Sequence, residues 1–317
     1  MAAVKEKISA LCGVLNVDKP KDMTSHDVVD AIRMVIHQQK VGHTGTLDPL
    51  ATGVLPLCVG KATKIAQYLI AVDKEYVVEM KLGLVTDTQD VTGSTLQENS
   101  FDNVTESQIM ELKDIFSGEF EQIPPMVSAK HHKGKRLYEL AREGEVVERD
   151  PVQVRIDKLE ITEINLPIVK FRVATSKGTY IRTLCHDMGE KLGCGAAMSG
   201  LIRTKCGSFS IENSVPLKEL TTRQKVEETI VPIDEALGFY SAVYINEEEI
   251  PKLLNGIPVS GGGIIHNEGE FEVGDFVRVF SMKKKLLAIA KASIKSDVVG
   301  RLGGDLAVLR PVKVFHS

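Results

Sequence analysis

The sequence lacks most of the features that place a chain quickly. No apolar run approaches the roughly 20 residues that cross a bilayer, so a membrane-spanning protein is not expected. The five cysteines (Cys12, Cys58, Cys185, Cys194, Cys206) are odd in number and form no C-x-x-C pair. That argues against structural zinc and fits free thiols in a reducing cytoplasm. Neither a P-loop nor a G-x-G-x-x-G fingerprint occurs, so no nucleotide fuel or dinucleotide cofactor is expected. His131, His132, His186 and Asp187 do not fall at metal-ligand spacing. Asp87-Thr88-Gln89-Asp90 lacks the correctly placed Gly and Glu of a calcium loop. The stretch 8–17, after Lys5 and Lys7, is too short for a signal peptide and runs into Asp18-Lys19-Pro20-Lys21 instead of a cleavage site. Internal repeats and low-complexity tracts are missing too.

A positive excess is also missing: the net charge is -4, which argues against a nucleic-acid binder that uses its whole surface. The charge is uneven, however. Between Phe276 and Ser317 nine Lys or Arg face two acids, Asp297 and Asp305. A second basic run holds Lys130, Lys133, Lys135 and Arg136 beside His131 and His132. Either cluster is a solvated face or a phosphate-binding patch, since screening limits the reach of distant acids.

What is present describes a globular chain. Its 317 residues, 43% hydrophobic and 26% charged, suffice for one large domain and a smaller one. Ser25 is expected to cap a helix with Val28, Val29, Ile32, Val35 and Ile36 on its buried face. The stretch 41–56, rich in Gly, Thr and Pro, reads as an ordered loop. From Lys74, the alternation of Tyr76, Val78, Met80 and Leu82 with polar neighbours predicts a half-buried strand. Thr105 and Gln108 form a capping box before a second helix. Residues 169–174 read as a strand, and a helix is predicted over about 181–192. The charged stretch 123–146 has no period and reads as a protruding segment. Beyond Gly238, short strand-like segments between turn residues suggest a small β domain.

One loop carries chemistry. In His43-Thr44-Gly45-Thr46-Leu47-Asp48-Pro49, the proline biases Asp48 toward extended backbone. Gly45 and Gly53 allow tight paths on either side. Such a loop can hold one carboxylate rigidly, as a nucleophile requires; taken alone it reads first as a capped turn in which Asp48 accepts backbone N–H bonds. Residues 43–56, read through Leu50-Ala51-Thr52-Gly53-Val54-Leu55-Pro56 and followed by Gly60-Lys61-Ala62-Thr63-Lys64, resemble the signature of the TruB family of tRNA pseudouridine synthases. Further blocks agree in order: Lys19-Pro20 with Thr24-Ser25, Lys74-Glu75-Tyr76, Thr86-Asp87-Thr88 with Asp90 and Gly93, Pro124-Pro125 with Ser128-Ala129, 137–144, Lys177-Gly178-Thr179-Tyr180-Ile181-Arg182, and Leu201 with Arg203-Thr204. The resemblance is strong from Gly13 to Gly207. It departs from the usual pattern at Asp22, where the family carries Gly; at His131, where it carries Lys; and at Ile202, where Arg is frequent.

The resemblance implies an α+β catalytic domain over 1–238, its central mixed sheet mostly antiparallel and flanked by helices and loops, with an RNA-contacting insertion near 124–150. A small PUA-like β-barrel domain follows over 239–317. The implied reaction is isomerisation of uridine 55 in the tRNA T-loop, with no cofactor and no metal. Asp48 would be the catalytic carboxylate, Arg182 its cationic partner, and Tyr76 the ring that stacks on the everted uracil and the group that takes the C5 proton before release. Without the resemblance, Tyr76 reads as a core tyrosine and Arg182 as a surface residue of an amphipathic helix. His43, Lys19, Pro20, Tyr180, Leu201, Lys130, Lys133, Arg136, Arg142 and Arg203 would contact the substrate. The implied setting is a cytoplasmic monomer that acts on the tRNA T-arm without guide RNA. A reading from another class is an RNA-folding chaperone that grips the T-arm with catalysis secondary.

Overall fold

The structure, a computed structural model, describes residues 10–126, 145, 147–299, 301, 304 and 306–315, and the backbone of 131, 132, 135 and 136. The chain divides into two compact units: Leu15–Ile230 with the segment before Cys12, and Val231–Ser317 with Cys12–Val14. Val14 and Val231 exchange two backbone hydrogen bonds of 2.8 Å, which draws the start of the first strand into the second unit.

The first unit is built on a ten-stranded mixed sheet. Its labelled strands are β1 (Gly13–Lys19), β2 (Val41–His43), β3 (Thr52–Val59), β4 (Lys74–Leu82), β5 (Gly118–Gln122), β6 (Val152–Asn165), β7 (Ile168–Thr175), β8 (Ala196–Cys206) and β9 (Val215–Pro216). The order is β9-β1-β3-β8-β4-β7-β6-β5, with β2 paired to β3. The run from β8 through β5 is antiparallel, whereas β3 and β8 are parallel, as are β1 and β9. Three helices matter to the site: α1 (Ser25–Ile36), α2 (Glu106–Ile115) and α3 (Ile181–Leu192).

The expected α1, α2, α3, β4 and β7 all form. The capping box of Thr105 with Gln108 is present. At α1 the cap differs from expectation: Thr24 is the N-cap and forms a box with Asp27, while Ser25 is the first helical residue and is buried. Val28, Val29, Ile32 and Ile36 bury the face that the period predicts. The 41–56 stretch is not all loop, since β2 and much of β3 lie within it. Seven of the eight β3 residues are buried. A strand covered on both faces has no alternation to reveal it. The basic residues 130, 133 and 142 lie outside the described residues. Arg136 is described by backbone only, paired opposite His131 in a two-residue ladder.

The second unit carries a six-stranded sheet of β10 (Ala242–Ile245), β11 (Val259–Ser260), β12 (Ile264–Glu268), β13 (Phe276–Ser281), β14 (Leu286–Ala292) and β15 (Ala307–Val314). Their order is β11-β15-β14-β13-β10-β12. Val243, Ile245, Val277, Val279, Leu287, Ala288, Val308 and Leu309 fill its core. Among the described residues, no helix is long and apolar enough to cross a membrane.

Candidate active site

The Asp48 loop leaves β2 at His43 and enters β3 at Thr52, and each of its turns is tied down. Ser25 Oγ accepts from the Leu47 amide at 2.8 Å and donates to the Leu47 carbonyl at 3.2 Å. This use of its hydroxyl explains why the cap passes to Thr24. The Pro49 carbonyl accepts from the Asp22 amide at 2.8 Å and from Lys19 Nζ at 3.3 Å. Asp22 stands at φ 65°, the left-handed turn for which Asp is the next best residue after Gly. Thr44 holds the Pro56 carbonyl through both its amide and its hydroxyl.

Arg203, on β8, closes the loop from below. It is 2% exposed; Nε donates to the Val54 carbonyl at 2.7 Å, and Nη2 reaches the Gly45 carbonyl at 3.4 Å. Gly53, at φ 98°, lies so close to this strand that a Cβ there would fall 2.3 Å from the Arg203 carbonyl oxygen. Arg203 was expected at the RNA and instead braces the loop from inside. Lys19 is likewise enclosed. It is 0% exposed, and Nζ donates to the carbonyls of Pro20, Met23 and Pro49. Burial lowers its pKa to about 8, against the pull of Asp48, Asp22 and Asp27.

So held, Asp48 faces the N-terminus of α3. Arg182 Nε lies 3.0 Å from Asp48 Oδ2, and the Arg182 side chain is 7% exposed against 33% for Asp48. The guanidinium also turns toward a second acid, with Nη1 3.7 Å from Asp90 Oδ2 and donating to the Thr88 carbonyl at 3.1 Å. Asp90 is buried. Its Oδ1 accepts from Thr88 Oγ1, from the Thr92 amide and from Thr92 Oγ1. Sequence reasoning matched Asp90 to a motif without giving it a role; its signal was the flanking hydroxyls of Thr88 and Thr92, which can fix a carboxylate. The same loop grips α3 again, through Thr183 Oγ1 on Gln89 Oε1 at 2.8 Å. Gln122 anchors the turn before α3, accepting from the Tyr180 amide at 2.8 Å and donating to its carbonyl at 3.1 Å.

Burial pushes the Asp48 carboxyl above the usual carboxylate range. Arg182 opposes that shift, Asp90 adds to it and Lys19 opposes it. Tyr76, on β4 opposite Arg203, is 8% exposed, and burial raises its phenol pKa against the influence of Arg203. Leu201, paired with Val78, is buried nearby on the same two strands. His43 is half-buried; its Nδ1 faces the Gly45 amide at 3.4 Å, and burial lowers its pKa. Pro20 is exposed and Tyr180 is half-buried. Ile202 is 43% exposed, at a position with no cation to offer. Among the described residues, no group of three or more His, Cys, Asp or Glu could hold a metal ion.

Comparison with known proteins finds matches along most of the chain. Residues 33–181 match the TruB family pseudouridylate synthase N-terminal domain, 182–238 a tRNA pseudouridylate synthase B C-terminal domain, and 241–309 a PUA domain. A tRNA pseudouridine synthase B from Clostridium tetani is 45% identical over 272 residues, covering 86% of this chain and 93% of the relative. One from Thermotoga petrophila is 42% identical over 308 residues, covering 96% of this chain and 99% of the relative. Among solved structures, a Cbf5-Nop10-Gar1 complex matches at 30% identity and TM-score 0.77, covering 96% of this chain and 85% of that one. A second match, an H/ACA RNP bound to substrate RNA, has 28% identity and TM-score 0.75.

Proposed function

Since the chain belongs to the TruB family of pseudouridylate synthases and isomerises uridine to pseudouridine in tRNA, we propose that its target is uridine 55 of the T-loop and that Asp48 is the carboxylate that drives the reaction. The observation that carries the assignment is the ion pair of Asp48 with a nearly buried arginine, at the tip of a loop tied on both sides. In the reaction the bond from ribose C1′ to uracil N1 breaks, the base turns, and C1′ bonds C5. The proton leaves C5 and one is gained at N1, so atoms and electrons balance with no cofactor. Asp48 supplies the nucleophilic carboxylate to base or sugar. Arg182 keeps that carboxylate ionised against burial, and Asp90 holds Arg182 in place. The target uracil leaves its stack to reach the pocket; Tyr76 stacks on it, Leu201 walls the pocket and His43 supports the everted loop.

The proposal extends to the setting. The chain acts as a stand-alone cytoplasmic monomer, and base contacts with the T-loop take the place of guide RNA. The basic residues Lys130, Lys133, Arg136 and Arg142 and the second unit grip phosphates. The buried positions of Lys19 and Arg203 give them a loop-bracing part in place of direct RNA contact.

The test is tritium release from tRNA carrying 5-tritiated uridine. Asp48→Asn is expected to abolish release while tRNA binding stays within about threefold of wild type, because an amide cannot attack but leaves the surface unchanged. Release at the wild-type rate from this variant would remove Asp48 from the mechanism.

A further inference from the structure

In the second unit, three rings stand in register on neighbouring strands. His266 of β12 pairs opposite Tyr244 of β10, and Tyr244 opposite Phe280 of β13. The imidazole lies flat on the Tyr244 ring, with centroids 4.3 Å apart and planes 11° from parallel. Tyr244 stacks on Phe280 at 5.4 Å and 23°. Next across is Leu286, opposite Phe280. The Arg278 guanidinium lies 5.5 Å from the Phe280 ring centre, but it is engaged with the Tyr240 and Asp234 carbonyls. Tyr244 Oη donates to Glu268 at 3.3 Å.

Cross-strand stacking stabilises a sheet by roughly 0.2–1 kcal/mol per pair, which accounts for the buried Tyr244 and Phe280. It does not account for His266. Strand β12 is the edge of the sheet, with no strand beyond it among the described residues. His266 is exposed, so the row ends in an imidazole with one face on Tyr244 and the other toward solvent. Past Phe280, β13 turns through Met282, Lys283, Lys284 and Lys285, all exposed. At about 4.8 Å per strand, this hairpin lies roughly 10–15 Å from His266. Two or three nucleotides of an extended strand span that distance. A flat ring beside lysines is the combination that holds unpaired nucleic acid without reading its sequence.

We propose that His266 is a stacking platform for one unpaired base of the RNA substrate, with the Lys283–Lys285 hairpin taking the adjoining phosphates. This rests on the reading of the chain as a tRNA-modifying enzyme and adds a contact outside its catalytic cleft. The test is the Kd of the full-length protein for a tRNA transcript, by filter binding at fixed salt. His266→Ala is expected to weaken binding about 5- to 30-fold, as the loss of one base stack does. His266→Trp should restore binding, and His266→Lys should not. Wild-type affinity in the alanine variant would overturn the proposal and leave the row to an aromatic side chain of another protein. Rescue by lysine as complete as by tryptophan would also overturn it, because charge would then be the cause. The functional reading fails separately, if wild-type protein makes no pseudouridine in the same transcript.

Discussion

Two carboxylates share one guanidinium, and that sharing sets the behaviour of the cleft. Asp48 stands where burial disfavours its charge, and Asp90 disfavours it further. Arg182 is therefore needed in two directions at once. Lysine is a single point charge and cannot span both acids, so Arg182→Lys is expected to lower kcat on the order of 100-fold with a smaller effect on tRNA affinity. The Asp48 pKa should then climb further, moving the acid limb of the kcat/KM profile to higher pH than in wild type. An unmoved limb would separate Arg182 from the ionisation of Asp48. Lys19 gives the opposite sign. Its pKa is lowered to about 8 in the fold, against an unfolded value near 10.4. Between those values the unfolded chain binds more protons, so wild-type stability should rise with pH relative to Lys19→Met. Chemical denaturation at pH 7, 9 and 10.5 measures this; parallel curves would contradict it. These residues mark what sequence could and could not reveal. The loop signature led to Asp48, and the turn before α3 led to Arg182, because both are short local patterns. Lys19 and Arg203 were expected at the substrate, since nothing local shows that carbonyls from distant turns converge on them.

At the scale of elements, the site is the meeting of two helix starts, the Asp48 and Asp90 loops, and the parallel strands β3 and β8. Helix α1 contributes Ser25, whose hydroxyl fixes both the amide and the carbonyl of Leu47 beside the catalytic residue. Ser25→Ala leaves that buried amide unpaired, a loss of about 1–3 kcal/mol. The melting temperature should fall by a few degrees and kcat more than tenfold, whereas Ser25→Thr should retain most of both if its methyl is accommodated. Calorimetry with a single-turnover assay on the two variants tests this. Gly53→Ala is the sharper case: a left-handed φ and a backbone oxygen 2.3 Å from the added carbon predict a protein that fails to fold at 37 °C. Helix α1 was legible from its apolar period, α2 from its capping box, and β4 from alternation. Strands β3 and β8 were not. β3 is buried on both faces, and β8 carries Gly200 and two register shifts against β4 that break its alternation. Yet Arg203 of β8 donates to the Val54 carbonyl of β3 and reaches the Gly45 carbonyl, so these two less legible elements help to tie down the Asp48 loop.

For the molecule as a whole, the question is how a chain of net charge -4 holds a polyanion. The answer lies in segregation, with nine cations against two acids after Phe276. Counterion release then makes tRNA affinity fall steeply with salt. Lys283→Glu with Lys284→Glu should flatten the slope of log Kd against log salt by about 1–2, and an unchanged slope would place the phosphates elsewhere. The bracing of the Asp48 loop has a consequence at this same scale. Loops ordinarily exchange their amide protons quickly, because they open without the rest of the fold. Here the amides of Asp22, Thr44, Leu47 and Ala51 are all hydrogen-bonded within or across the loop. In deuterated water these four should therefore lose their protons as slowly as the strands of the sheet, since the catalytic loop can open only when the domain around it does.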